Sequence, residues 1–194
     1  MDGRRTKDEG QRTKKTIRTL RPSFITYHDL MKTLIIGLGN TILRDDGVGI
    51  HVARSVGESI GIREDIEVVE LSVGGMRLME EMAGYDRVLL IDAVMTGKNP
   101  PGTVSRLDIN DLGMSLHTSS THDTSLSCAL EGGRRLGIKL PSELIIWGIE
   151  AREVDTFGED MTSEVAAAIP GIVEKILEEL PYQAFRQGRT SALT

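Results

Sequence analysis

The sequence predicts an α/β protein of three layers, in which a mostly parallel sheet lies between two layers of helices. From Met31 onwards, short apolar runs alternate with amphipathic helical segments. This alternation is typical of parallel sheets, because the crossover helices cover both faces of the sheet. The turn Gly97–Gly102 is short, and a short turn favours antiparallel neighbours. One edge strand is therefore expected to run against the others.

Five runs of apolar or alternating residues are the predicted strands, and Arg87–Val94 is the clearest of them because it is almost continuously apolar. The run that begins at Thr103 alternates between apolar and polar residues, as a strand with one exposed face does. The predicted strands are Thr33–Gly37, Ile66–Leu71, Arg87–Val94, Thr103–Asp108 and Glu143–Ile149.

Four segments with an apolar face are the predicted helices: Gly47–Ile60, Gly75–Ala83, Asp123–Gly137 and Ser163–Leu180. Asp45 or Asp46 is expected to cap the first helix, and Thr162 the last. The third helix runs into the breaker pair Gly132-Gly133. Pro170 is expected to kink or break the last helix, because proline lacks the backbone N–H that continues it.

The chain of 194 residues, 39% hydrophobic and 27% charged, suits one globular domain, which we assign to residues 31–180. Residues 1–30 are rich in Arg, Lys and Thr and lack apolar periodicity. We interpret them as a disordered extension or the product of an upstream start, with a basic arm that contacts an acidic partner as the alternative. Residues 181–194 are predicted to be a tail.

Charge and cysteine content exclude several classes of protein. A net charge of −6 argues against a nucleic-acid binder. A single cysteine excludes an internal disulfide and a thiolate zinc cage within one chain, and it is compatible with a reducing cytoplasm, where we expect the protein to be. Without an apolar run of about 18 residues, no membrane insertion is expected.

Two interpretations compete for the segment after the first strand. Gly37 and Gly39 fit the start of a dinucleotide-binding loop, but Ile42 stands where its third glycine belongs. Asp45 and Asp46 follow, and they would repel a diphosphate at the helix N-terminus. The alternative is that the aspartates present a carboxylate to a cation, while a simple N-cap explains one of them equally well.

Asp92 and His122 add possible ligands from other parts of the chain. Asp92 lies near the carboxyl end of the strongest strand, where a buried carboxylate needs a hydrogen-bonding partner or a metal ion. His122 lies in a polar loop before a helix and is either solvated or a ligand or base. Together with Asp46 they would offer two oxygens and one nitrogen, which suits a borderline divalent ion with open positions. Cys128, in an apolar stretch, is interpreted as a small core residue.

The order of these motifs resembles one family, the hydrogenase maturation endopeptidases. The matching segments are Gly37-Leu-Gly-Asn40, Asp45-Asp46-Gly-Val-Gly49, Leu90-Ile-Asp92-Ala93 and Ser120-Thr-His122-Asp. The resemblance covers about residues 31–180 and implies a twisted five-stranded sheet. It also implies an endopeptidase that removes the C-terminal peptide from the precursor of a [NiFe] hydrogenase large subunit, after nickel has been loaded.

The resemblance further implies that Asp46, Asp92 and His122 form the catalytic site and bind the nickel. The nickel is carried by the precursor, so the isolated enzyme need not hold a metal ion. A nickel-binding assembly chaperone without peptidase activity is the alternative function.

Overall fold

A computed structural model describes residues 31–110 and 125–180. The strands are β1 (Thr33–Leu38), β2 (Ile66–Leu71), β3 (Arg87–Val94), β4 (Val104–Leu107) and β5 (Glu143–Glu150). The helices are α1 (Val48–Ile60), α2 (Gly75–Glu81), α3 (Leu126–Arg135) and α4 (Ser163–Glu178), and a 3-10 helix, Arg44–Gly47, precedes α1. The predicted terminal segments, 1–30 and 181–194, lie outside the described residues.

The five strands form one sheet in the order β2-β1-β3-β5-β4. Strands β2, β1, β3 and β5 are parallel, and β4 pairs antiparallel with β5 at one edge. In this register Gly37 lies opposite Ile91, and Asp92 lies opposite Gly148. The predicted mixed sheet with one antiparallel edge strand is confirmed.

Successive residues of each strand point to opposite faces of the sheet, and apolar residues lie on both faces. Helices therefore cover both faces. On one face, Leu89 and Ile91 of β3 join a core built with α1 and α4. On the other face, Val88 and Leu90 join a second core built with α2 and α3. These two cores make the three-layer sandwich that the alternating pattern predicts.

The predicted cap of α1 is wrong. The N-cap residue is Gly47, and no side chain caps the helix. Neither Asp45 nor Asp46 serves there, because both precede the cap in the 3-10 helix. Thr162 does stand at the N-cap position of α4, but it makes no side-chain cap, and its hydroxyl donates to Asp45 instead.

Two predicted helix breakers lie inside helices. The pair Gly132-Gly133 is part of α3. A Cβ on Gly133 would lie 3.0 Å from both Met79 Sδ and Leu140 Cδ1, so the missing side chain lets α3 pack closely on α2. Helix α4 continues through Pro170, so the predicted break does not occur. None of the described helices has the length and apolar character needed to cross a membrane.

Candidate active site at the carboxyl end of the sheet

The first turn of α1 lies directly against the carboxyl ends of β1 and β3. A Cβ on Gly49 would lie 2.3 Å from the carbonyl oxygen of Leu38 and 2.5 Å from that of Ile91. Only glycine permits so close an approach to two backbone oxygens. The residues just before Gly49 and just after Ile91 therefore come to the same edge of the sheet, where ligands bind in open α/β sheets.

Asp46 and Asp92 are those residues. Asp46 lies three positions before Gly49, and a Cβ on Gly39 would lie 2.1 Å from its carbonyl oxygen, so the end of β1 supports its backbone. Asp92 follows Ile91 directly. The two side chains are 1% and 0% exposed, respectively. The structure thus brings both predicted acids to one edge of the sheet, as the topology argument required.

Asp92 belongs to the face of the sheet that α2 and α3 cover, because Val88 and Leu90 on the same side of β3 lie in that core. The third predicted residue, His122, falls in the segment before α3 and lies outside the described residues. Within 31–110 and 125–180, no group of three His, Cys, Asp or Glu side chains could hold a metal ion. The convergence of all three residues stays a prediction.

Asp45, next to Asp46 in sequence, has a structural role that the sequence did not predict. Its Oδ1 accepts a hydrogen bond from the Thr162 backbone N–H (2.7 Å). Its Oδ2 accepts from the Thr162 hydroxyl (2.9 Å) and from the backbone N–H groups of Arg152 (3.0 Å) and Glu153 (3.1 Å). Four donors hold this buried carboxylate, so Asp45 anchors the segment that carries Asp46 to the segment after β5.

Arg44, like Asp45, connects the segment before α1 with the segment after β5. Its side chain donates to the Glu153 carboxylate (2.8 Å) and to the Asp160 carbonyl (3.1 Å). Its backbone N–H donates to the Gly158 carbonyl (2.8 Å). These contacts hold Arg44 at a φ of 48°, a left-handed conformation that costs a non-glycine residue about 1–2 kcal/mol. The backbone leading into Asp46 is therefore set by a distant segment.

His51 and Cys128 are two further residues whose side chains could take part in chemistry. His51, on α1, is half-buried, and burial is the main cause that lowers its pKa, followed by the charge of Arg54. Cys128 is exposed, which corrects its assignment to the core. The buried face of α3 follows the spacing of Leu126, Ala129, Leu130 and Gly133, and Cys128 falls off it.

Comparison with known proteins decides the family. The model of the HycI hydrogenase maturation protease family matches residues 50–179, which is more than half of the chain. The chain belongs to the hydrogenase maturation protease family. The match includes Asp92, whereas Asp46 lies four residues before its start. The protein is thus a protease, and the family and the enzyme class inferred from the motifs are confirmed.

Individual relatives agree with this membership. The hydrogenase 2 maturation protease of Escherichia coli K12 is 26% identical over 151 residues, which cover 77% of this chain and 91% of that protein. The structure of the hydrogenase maturating endopeptidase HybD from E. coli superposes with a TM-score of 0.65 at 26% identity, covering 77% of this protease and 92% of that chain.

The [NiFe] hydrogenase maturation protease HybD from Thermococcus kodakarensis gives a TM-score of 0.57, also at 26% identity, and covers 78% of this protease and all of that chain (100%). The fold of this protease is therefore that of solved maturation endopeptidases, which is consistent with the three-layer sandwich described above.

Proposed function

We propose that this protease removes the C-terminal peptide from the nickel-loaded precursor of a [NiFe] hydrogenase large subunit, and that it recognises the nickel through Asp46, Asp92 and His122. Family membership supports the endopeptidase activity. The observation that supports nickel recognition is the pair of buried carboxylates, Asp46 and Asp92, at one edge of the sheet. In this proposal the metal ion is part of the substrate.

The chemistry of these side chains suits a nickel ion held jointly by two proteins. Two carboxylate oxygens and one imidazole nitrogen fit a borderline divalent ion. Three protein ligands leave coordination positions open for groups of the precursor. Because charges attract each other more strongly in a buried site than in water, an arriving Ni²⁺ would gain more here than at exposed acids.

This arrangement would let the protease distinguish a loaded precursor from an empty one. A precursor that carries nickel gains the ligand interactions, and one without nickel does not, so the metal changes the affinity. A hundredfold preference requires only about 2.7 kcal/mol, which two or three metal–ligand contacts readily provide.

Two ways of assisting peptide hydrolysis fit the proposed site. Asp46 or Asp92 would act as a general base that deprotonates the attacking water. Alternatively, the nickel of the precursor would polarise the scissile carbonyl.

Mass spectrometry of a purified precursor, before and after incubation with this protease, tests the proposal. The nickel-loaded precursor is expected to lose a C-terminal peptide, and the nickel-free precursor is expected to keep its full mass. A stable complex with the loaded precursor whose tail stays intact would instead support the assembly chaperone. Equal cleavage of loaded and empty precursors would refute nickel recognition while leaving the peptidase activity intact.

Single substitutions test the three residues. Asp46→Ala, Asp92→Ala and His122→Ala are each expected to lower the processing rate at least about 100-fold, the lower end of general acid–base effects. Circular dichroism should show that each variant is folded. Glu174→Ala removes an exposed acid of α4 and serves as the control. Processing at the wild-type rate by any of the three variants would remove that residue from the site.

A further inference from the structure

A small cavity lies beside Asp92 on the same face of the sheet. Its volume is about 120 Å³, and its apolar wall is formed by Val94, Leu107 and Gly148. Gly148 lies directly opposite Asp92 in the parallel register, and Ser105 of the edge strand β4 lies opposite Gly148 and also borders the cavity. Paired strands are about 4.8 Å apart, so the cavity begins one strand away from Asp92.

Glu150 provides the acidic wall of this cavity, and it has no role in the site described so far. The residue is only 4% exposed. Its carboxylate accepts hydrogen bonds from the Thr96 hydroxyl (2.6 Å) and from the Gly97 backbone N–H (2.7 Å). No lysine or arginine among residues 31–110 and 125–180 forms an ion pair with it.

Lys98 borders the same cavity but is exposed. Its backbone N–H donates to the Thr96 hydroxyl (3.1 Å), which orients that hydroxyl toward Glu150. The Glu150 carboxylate is therefore held in place by neutral donors, and its oxygens keep capacity for further hydrogen bonds. A buried carboxylate without a cation is costly, so this cavity favours an occupant that carries positive charge.

We infer that this cavity, the Glu150 pocket, binds one basic side chain of the precursor close to the scissile bond. The inference rests on the proposed function. The apolar wall would pack against the methylene stem of such a side chain, and Glu150 would accept a charge-assisted hydrogen bond from its head. The volume suits one side chain and is well below the about 300–1,000 Å³ of pockets that hold whole small molecules.

The distance between the pocket and Asp92 determines how many residues can separate the bound side chain from the scissile bond. An extended peptide advances about 3.3 Å per residue, and the pocket begins one strand spacing from Asp92. Glu150 lies opposite Val94, two residues beyond Asp92 along the strand direction, so a residue about two positions from a bond cleaved at Asp92 reaches it. The pocket would fix the register of the precursor, and Glu150 would be a specificity-determining residue.

The test begins with the cleavage point, mapped by mass spectrometry on the nickel-loaded precursor. Each Lys, Arg or His within three residues of the cut is then replaced singly by Met, and kcat/KM is measured with the wild-type protease and with Glu150→Gln. One replacement is expected to lower kcat/KM about 10- to 100-fold with the wild-type enzyme and less than threefold with Glu150→Gln. Glu174→Gln, the same change at an exposed position of α4, should behave like the wild type.

A second pair of variants tests the charge without altering Glu150. Ser105 is half-buried on the edge strand and borders the pocket, so a longer side chain there can enter it. Ser105→Lys would offer Glu150 an internal cation and repel a basic side chain, whereas Ser105→Met fills similar space without charge. We expect Ser105→Lys to process the natural precursor at least tenfold more slowly than Ser105→Met does.

The outcomes separate this inference from the proposed function. If the wild-type protease cleaves the loaded precursor but no basic residue near the cut depends on Glu150, the pocket assignment is wrong and the proposed function stands. The same holds if Ser105→Lys and Ser105→Met are equally active. Absence of cleavage by the wild-type protease would refute the proposed function itself.

Discussion

Asp45 should be a main source of stability for the segment that carries Asp46. It is fully buried and accepts four hydrogen bonds, three from backbone N–H groups and one from the Thr162 hydroxyl. Hydrogen bonds to a charged group contribute about 1.5–3 kcal/mol each, but four bonds to one carboxylate are not additive. We therefore expect Asp45→Ala to lower the free energy of unfolding by about 4 kcal/mol, in the range seen when a buried charged network loses one partner.

Asp45→Asn should cost less, because the amide keeps one accepting oxygen. If that oxygen takes the place of Oδ2, it retains three donors, and the NH₂ group then faces the Thr162 N–H that Oδ1 accepted. The loss of this one bond, with two donors facing each other, should cost about 2 kcal/mol. For a domain of this size that corresponds to a decrease in Tm of about 4–8 °C.

Urea denaturation followed by circular dichroism measures both values. Glu174→Gln, the corresponding acid-to-amide change at an exposed site, should stay within about 0.5 kcal/mol of the wild type. Thr162→Val should cost about 1 kcal/mol in the wild type and almost nothing in Asp45→Ala, because its partner is then already gone. If Asp45→Asn were as stable as the wild type, Asp45 would not be the anchor of this segment.

Two further predictions concern α1. Gly49→Ala should lower the free energy of unfolding by about 2–3 kcal/mol, since its Cβ would meet the carbonyl oxygens of Leu38 and Ile91. Gly57→Ala on the same helix should raise the free energy of unfolding by about 0.5–1 kcal/mol, as measured by urea denaturation. Equal stability of the two variants would contradict the close approach of Gly49 to these carbonyl oxygens. Burial lowers the pKa of His51 below its ordinary 6.5, so the unfolded chain binds this proton more readily. The free energy of unfolding should therefore fall as the pH drops below about 6.5, and it should fall less steeply in His51→Gln. An NMR titration of His51 with a midpoint at or above 6.5 would contradict this prediction.

The strands were predictable because each is a short apolar or alternating run, which is a clear pattern in the sequence. β2 and β3 have the predicted boundaries, and β1 and β5 extend one residue further than predicted. Such boundaries depend on local patterns, which a single sequence displays directly. The antiparallel direction of β4 was also predicted, but its partner is β5 and not β3, the strand before the short turn.

Features that depend on distant partners were not predictable. The predicted helix includes Gly132-Gly133, but the sequence does not show that Gly133 lies against Met79 of α2. Likewise, no residue near Asp45 in the sequence indicates that its hydrogen-bond donors lie more than a hundred residues further along the chain.

The candidate site also has parts that the sequence predicted and parts that it did not. Asp46 and Asp92 were expected at one sheet edge because the ends of neighbouring parallel strands lie together, and the start of α1 does lie against the end of β3. Their role as a site stays a prediction. Glu150 ends a predicted strand, yet only the fold shows that it is buried and borders a cavity.

The bonds between Asp45 and Thr162 join positions that are 117 residues apart, and this separation affects when the enzyme becomes active during its own synthesis. Translation proceeds from the N-terminus at about 5–20 residues per second, so Asp45 leaves the ribosome many seconds before its partner. Until Thr162 emerges, the loop before α1 lacks its anchor. We expect a nascent chain to be unable to cleave a precursor until α4 begins to fold, which keeps an incomplete protease from acting prematurely.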